Sequence, residues 1–220
     1  MRKIGLVTDA VAAAALALLL GLAFWQLDRL QWKQDLIASI EARAHAPAVA
    51  LPAAPEAFTR VTASGTFDHG GERHILAQTH EGGVGISVIT PLHLDDGRLL
   101  LVDRGWVPDS TREAVSRPEG PLTLEGLVRL PPRRNSFAPE NSPADEQWFR
   151  IDPEAMAGAD ALPFYLEAST ANPGGWPLPR QRALSLRNDH LEYALTWFAL
   201  AAGLLVVYVL FRKQAGRAKP

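Results

Sequence analysis

Two long stretches of this chain carry no charge, one near each end. Ala10 to Trp25 reads AVAAAALALLLGLAFW, and extension through Leu27 or back to Leu6 reaches the roughly 20 apolar residues a bilayer-spanning helix needs. Tyr193 to Phe211 reads YALTWFALAAGLLVVYVLF and is closed by Arg212 and Lys213, which predicts a second span. Between them, strand composition recurs in short runs: Phe58–Phe67, Arg73–Thr79, Gly85–Leu94, Leu99–Val107, Leu122–Leu130, Gln147–Ile151 and Phe164–Ala168. Asp68-His69-Gly70-Gly71, Glu81-Gly82-Gly83 and Asp95-Asp96-Gly97 supply turn chemistry between the first four runs, which predicts an antiparallel meander of hairpins. Strands this short and this closely spaced predict a small barrel-like sheet. Asp152 as N-cap and Pro153 at the first helical position predict a short helix over Pro153–Gly158.

The helical pattern continues past the first span, from Gln26 to Ala46, until Pro47, Pro52 and Pro55 break it into a linker. Trp25, Arg29 and Trp32 recur at i, i+4 and i+7 with Lys33 beside them, the aromatic and basic layer of a helix leaving hydrocarbon. That pattern favours a retained anchor over a cleaved leader, whose cleavage site at Gly21-Leu22-Ala23 is poor. The predicted organisation is an N-terminus at 1–6, transmembrane helices at 7–27 and 188–211, a helical extension and linker at 28–57, a β-rich domain at 58–187 and a tail at 212–220. The fold class is thus a membrane protein in which two transmembrane helices flank a mainly antiparallel, barrel-like α+β domain. Arg2 and Lys3 precede the first span, and Arg212, Lys213, Arg217 and Lys219 follow the second with no acid among them. The positive-inside tendency therefore predicts cytoplasmic termini and an external domain, against the opposing vote of Arg29 and Lys33. In a bacterium this is an inner-membrane protein with a periplasmic domain.

Composition narrows the chemistry. A formal net charge of -2 excludes a globally basic nucleic-acid binder, and the absence of cysteine excludes disulfides, thiolate metal sites and iron–sulfur clusters. No G-x-S-x-G elbow, H-E-x-x-H helix, Walker loop or EF-hand loop occurs. His69, His74 and His80 fall in turns and on a strand with no shared period, so they read as solvated histidines rather than a metal set. Gly65 inside a strand run predicts a bulge or a close backbone approach. Arg104, ending a strand that is otherwise apolar up to Asp103, predicts either a buried ion pair or a partner-facing charge. With Asn188 or Asp189 as cap, a helix places His190, Tyr193, Ala194, Trp197 and Ala201 on one stripe. Two readings of that stripe stand. Either a flat apolar cofactor lies against the alanines with its iron on His190, or Tyr193 and Trp197 form an interfacial belt and His190 faces water.

Several stretches, in order, give the chain a resemblance to a known family. They are Trp25-Gln26-Leu27 with Arg29, Trp32 and Lys33; Gly65-Thr66-Phe67-Asp68-His69; Asp103-Arg104-Gly105-Trp106-Val107-Pro108; and Gly126-Leu127-Val128-Arg129. Phe137 with Pro139-Glu140-Asn141, Pro173-Gly174-Gly175, and Asn188-Asp189-His190-Leu191-Glu192-Tyr193-Ala194-Leu195-Thr196-Trp197-Phe198 complete the set. The chain resembles the Surfeit locus protein 1 family of cytochrome oxidase assembly factors, departing at Trp176-Pro177-Leu178-Pro179 before the expected final strand and at Asp103. The resemblance implies a non-enzymatic role in maturing subunit I of haem-copper cytochrome c oxidase, with haem a held at His190 and flanked by Tyr193 and Trp197. It implies as partners oxidase subunit I, the haem a synthesis machinery and the lipid bilayer. The alternative is a membrane-tethered scaffold that binds oxidase subunits without haem; a membrane-anchored hydrolase lacks every nucleophile motif sought above.

Overall fold

The computed structural model describes residues 2–132, 139–171, 174–179 and 188–217. Its elements are α1 (Arg2–His45), β1 (Val49–Ala50), β2 (Arg60–Phe67), β3 (Arg73–His80), β4 (Gly83–Leu94) and β5 (Leu99–Pro108). They continue with β6 (Pro121–Arg129), α2 (Pro153–Ala157), β7 (Ala161–Ala168) and α3 (His190–Arg217). Two compact units result, one of Met1–Ser39 with Ser185–Pro220 and one of Ile40–Leu184.

In the second unit the strands lie in the order β1-β2-β6-β7-β5-β4-β3, and β2 pairs a second time with β4. That extra pairing closes β2, β6, β7, β5 and β4 into a ring, the predicted small barrel. Alternate residues of each strand fill it: Val61 and Ala63, Leu92 and Leu94, Leu100 and Val102, Leu124 and Val128, and Phe164, Leu166 and Ala168. The strands β4 and β5 are apolar at nearly every position because their outer face is covered too. Ile89 and Leu101 pack there with Ile75, Trp148, Ile151, Met156 and Tyr165, while Ile86 and Val88, in step with Leu92 and Leu94 along β4, form a separate cluster with Val107 and Val115. A strand buried on both faces loses its alternation. As predicted, Asp152 caps α2, its carboxylate accepting from the Ala155 N–H at 3.3 Å.

Two expectations change, and the mainly antiparallel sheet holds with parallel exceptions. The meander holds only for β3-β4-β5, because β2 is antiparallel to β4 and β6 rather than to β3. Asp68 accounts for this: its side chain accepts from the Gly70 and Gly71 N–H groups, winding a one-turn 3-10 helix in place of a reversing turn, so β2 and β3 follow one another along the same edge of β4. Gln147–Ile151 is not a strand. It makes isolated bridges, Ile75 with Trp148 and Ser142 with Gln147, because Trp148 and Ile151 are spent covering the barrel's outer face. Finally, β5 and β7 run parallel, so the sheet is mixed. The chain after Gly175 reaches Leu178, which bridges Trp106 with hydrogen bonds of 2.8 and 2.9 Å, while the Trp176 ring packs 6.2 Å from Trp106. The expected final strand beyond Pro179, Phe137 and Pro173 lie outside the described residues.

Candidate functional site

Both helices of the first unit are long and apolar enough to cross a membrane. Their large side chains point outward: Val11, Leu18, Leu195, Val206 and Val207 are all exposed, whereas Ala23, Ala194 and Ala201 are buried. A soluble core helix does the reverse; outward apolar and inward small residues are the arrangement of helices packed within lipid. Four side-chain contacts set the register. His190 on α3 bonds to Gln26 on α1 with Nδ1 to Oε1 at 2.7 Å, and the Phe24 and Phe198 rings meet edge to face at 5.5 Å. At the opposite end the Tyr208 hydroxyl donates to Asp9 Oδ1 at 2.7 Å, and Arg212 lies 3.1 Å from the same oxygen. As α1 numbers rise α3 numbers fall, so the pair is an antiparallel hairpin. At 1.5 Å per residue the two polar ties stand about 26 Å apart on each helix, close to the ~30 Å of a hydrocarbon core.

The start of α3 follows from its sequence. The Tyr193 N–H donates to the Asp189 carbonyl at 3.3 Å, the bond an N-cap residue accepts, and His190 falls in the first turn. The stripe read from the sequence is real, but its occupant differs in part. Ala194 and Ala201 are buried, at 1% and 4% exposure, on the same side of α3 as His190 and Tyr208. The small residues therefore pack within the helix pair and narrow the room beside the stripe. What stays open is the flank: Tyr193, about 60° round the helix from His190, is exposed, and Trp197 is half-buried.

These residues suit a haem ligand set in their donor chemistry. Gln26 takes up Nδ1 of His190, Nε2 bonds to no described residue, and the neighbouring side chains Tyr193 and Trp197 are aromatic. Gln26, Asp9 and Tyr208 escaped the sequence reading as a set. The available signal was position: each is a polar group at the margin of an otherwise apolar helix, where it requires a partner.

The barrel unit carries a second polar cluster. Glu72, whose side chain is 6% exposed, accepts from Arg117 Nη2 at 2.7 Å and from His74 Nε2 at 3.2 Å, and Arg104 Nη1 lies 3.6 Å away. Arg104 is itself buried, donates to the Ser116 carbonyl, and sits 5.0 Å over the Phe67 ring. The paired reading of Arg104 is therefore the correct one. Burial pushes the Glu72 carboxyl up, but hydrogen bonds from His74 and Arg117 outweigh it and hold the group below its ordinary value. Burial lowers Arg104, and the Glu72 charge opposes that shift. Nor are the three histidines merely solvated: His69 bonds to the Pro118 carbonyl at 2.8 Å, His74 to Glu72, and the His80 ring packs 5.3 Å from Trp106. Among the described residues no group of histidines and acids has metal-site geometry. An open groove of about 460 Å³ beside α2 is lined mainly by prolines and the Arg150–Asp152 pair, at 3.8 Å.

Comparison with known proteins agrees with this layout. A sequence model of the SURF1 family matches residues 13–202. Surfeit locus protein 1 of Mus musculus is 38% identical over 227 aligned residues, covering 90% of this chain and 72% of its own length. The Homo sapiens protein of that name is 37% identical, with 88% and 73% covered, and the SURF1-like protein of Monosiga brevicollis is 36% identical, with 89% and 84% covered. Because the match runs from the first apolar helix, through every strand of the barrel, into the second apolar helix, this chain belongs to the SURF1 family.

Proposed function

We propose that this chain is an assembly factor for haem-copper cytochrome c oxidase, anchored by the α1–α3 hairpin and assisting maturation of subunit I. His190 holds haem a for insertion, with Tyr193 and Trp197 flanking the ring. The observation that carries this reading is the His190–Gln26 bond: it engages one imidazole nitrogen and leaves the other for a ligand at the margin of an apolar helix pair. When bound, haem supplies an iron acceptor for an imidazole nitrogen; the chain's own residues bind and orient it, and no bond of a substrate is made or broken. Partners on this reading are oxidase subunit I, the haem a synthesis machinery and the bilayer.

The proposed setting is a bacterial inner membrane with both termini cytoplasmic and the barrel periplasmic. The basic C-terminal cluster from Arg212 to Lys219 supports that orientation. Trp32, exposed with Arg29 stacked 4.2 Å from its ring, suits an interfacial layer beyond the Gln26 tie. One observation favours the rival reading of a scaffold without haem: burial of Ala194 and Ala201 narrows the seat on α3. Titration of the detergent-purified full chain with haemin separates the two. On the haem reading His190→Ala loses the ligated Soret band and Trp197→Phe changes it mildly, while wild-type spectra for His190→Ala would leave the scaffold as the function.

A further inference from the structure

We infer that Gln26 is the positioning residue of this site, fixing His190 as the Nδ1–H tautomer. A neutral imidazole has one N–H and one lone pair, and the partner of one nitrogen decides the role of the other. His190 Nδ1 faces the Gln26 carbonyl oxygen at 2.7 Å, so the proton resides on Nδ1 and the lone pair on Nε2. Gln26 is only 9% exposed and sits one turn from the fully buried Ala23, so water competes weakly for the bond and the amide comes from a packed part of α1. The two residues are 164 positions apart in sequence. Assembly of the hairpin is therefore what biases the lone pair to Nε2. The bond also restrains ring rotation, which a ligand held by a single nitrogen needs. That this lone pair meets haem iron rests on the function proposed above; the tautomer itself does not.

The test uses the full chain, labelled with 15N-histidine and held in detergent micelles at a pH above the ordinary histidine range. Long-range 1H–15N correlations report which ring nitrogen is protonated, and loss of one signal set in His190→Ala identifies His190 among the six histidines. The expected result is the Nδ1–H form in the wild type and in Gln26→Glu, whose carboxylate still accepts, and the Nε2–H form in Gln26→Leu. Nε2 protonation in the wild type would mean that the Gln26 amide donates rather than accepts, and would overturn the inference. So would an Nδ1–H form that survives Gln26→Leu.

Haemin titration adds a functional readout. Gln26→Leu weakens binding by about 10–100-fold, the range for loss of an outer-shell partner, while Gln26→Glu keeps it. A purely packing role instead predicts equal losses in both variants, or none. If His190→Ala binds haemin as the wild type does while the tautomer follows Gln26, the haem reading fails and the positioning role stands.

Discussion

Gly65 is where the barrel closes, and the consequences of adding one carbon there follow from the geometry. It pairs with Leu94 of β4 on one side and with Leu122 of β6 on the other, and the whole β2–β4 seam consists of Gly65, Thr66 and Phe67. A Cβ at Gly65 would come within 2.9 Å of the Leu94 Cα and closer still to the His93 carbonyl oxygen, both backbone atoms that no rotamer change can move. Gly65→Ala therefore has to push β4 away from β2. Overpacking of this kind costs about 1–3 kcal/mol, and a lengthened seam weakens backbone hydrogen bonds of roughly 1 kcal/mol each. A loss of about 2–4 kcal/mol is expected for the alanine. Gly65→Glu adds a carboxylate at the same buried position, a loss comparable with the ~5–15 kcal/mol that holds a typical domain folded. Pulse proteolysis of the full chain across a urea series measures both. The alanine should shift the midpoint clearly downward, and the glutamate should be cleaved even without urea. An alanine variant within ~0.5 kcal/mol of the wild type would refute the close-approach argument.

Other predictions test the polar cluster and the hairpin. Glu72→Gln removes the buried negative charge shared by Arg104, Arg117 and His74 and should destabilise the barrel by about 3–5 kcal/mol, read from the same urea midpoints. Because the Glu72 pKa is lowered in the folded state, its contribution is fully present above the ordinary glutamate pKa and lost as pH falls through the depressed one. The gap between wild type and Glu72→Gln should thus be flat above pH ~5 and shrink below about 4; a gap that grows on acidification would refute it. Alkaline phosphatase fused after Pro139 should be active in a bacterial host and inactive when fused after Arg217, and the reverse pattern would invert the proposed topology. Asp9→Ala removes the shared partner of Tyr208 and Arg212 at one end of the hairpin, and spin labels on added cysteines at the ends of α1 and α3 should report a broader distance distribution there. The absence of native cysteine makes that labelling specific.

Much of this architecture is legible in the sequence because it depends on local terms. Uncharged runs mark both apolar helices, Asp152-Pro153 marks the start of α2, and Gly65 within a strand marks the close approach. Strand partners are a different matter. The runs that became β4 and β5 are apolar throughout because both faces are covered, and such a run does not say which neighbours it has. The parallel β5–β7 pair is equally silent, since nothing local distinguishes a β7 entering beside β5 from one entering elsewhere. Trp148 and Ile151 match strand composition, yet their value lies in covering the barrel wall. At the site, the His190 stripe was visible from helical period alone. Its relation to Gln26 was not, because that contact depends on how far α1 slides against α3.

The slide is fixed by the polar ties, and this links the hairpin's stability to its proposed use. In lipid no hydrophobic force draws two apolar helices together, so small-residue packing and buried polar contacts determine their register. Ala23, Ala194 and Ala201 allow close approach but define no unique depth, since an alanine seam tolerates a shift of one turn. Asp9 with Tyr208 and Arg212 at one end, and Gln26 with His190 at the other, do define it, because a one-turn slip would break these contacts and set each polar group against apolar side chains. The contact that orients His190 is thus also one of the two polar ties that register the helices. A ligand that draws His190 away from Gln26 loosens the hairpin, and a change at the Asp9 end displaces His190 relative to its tie.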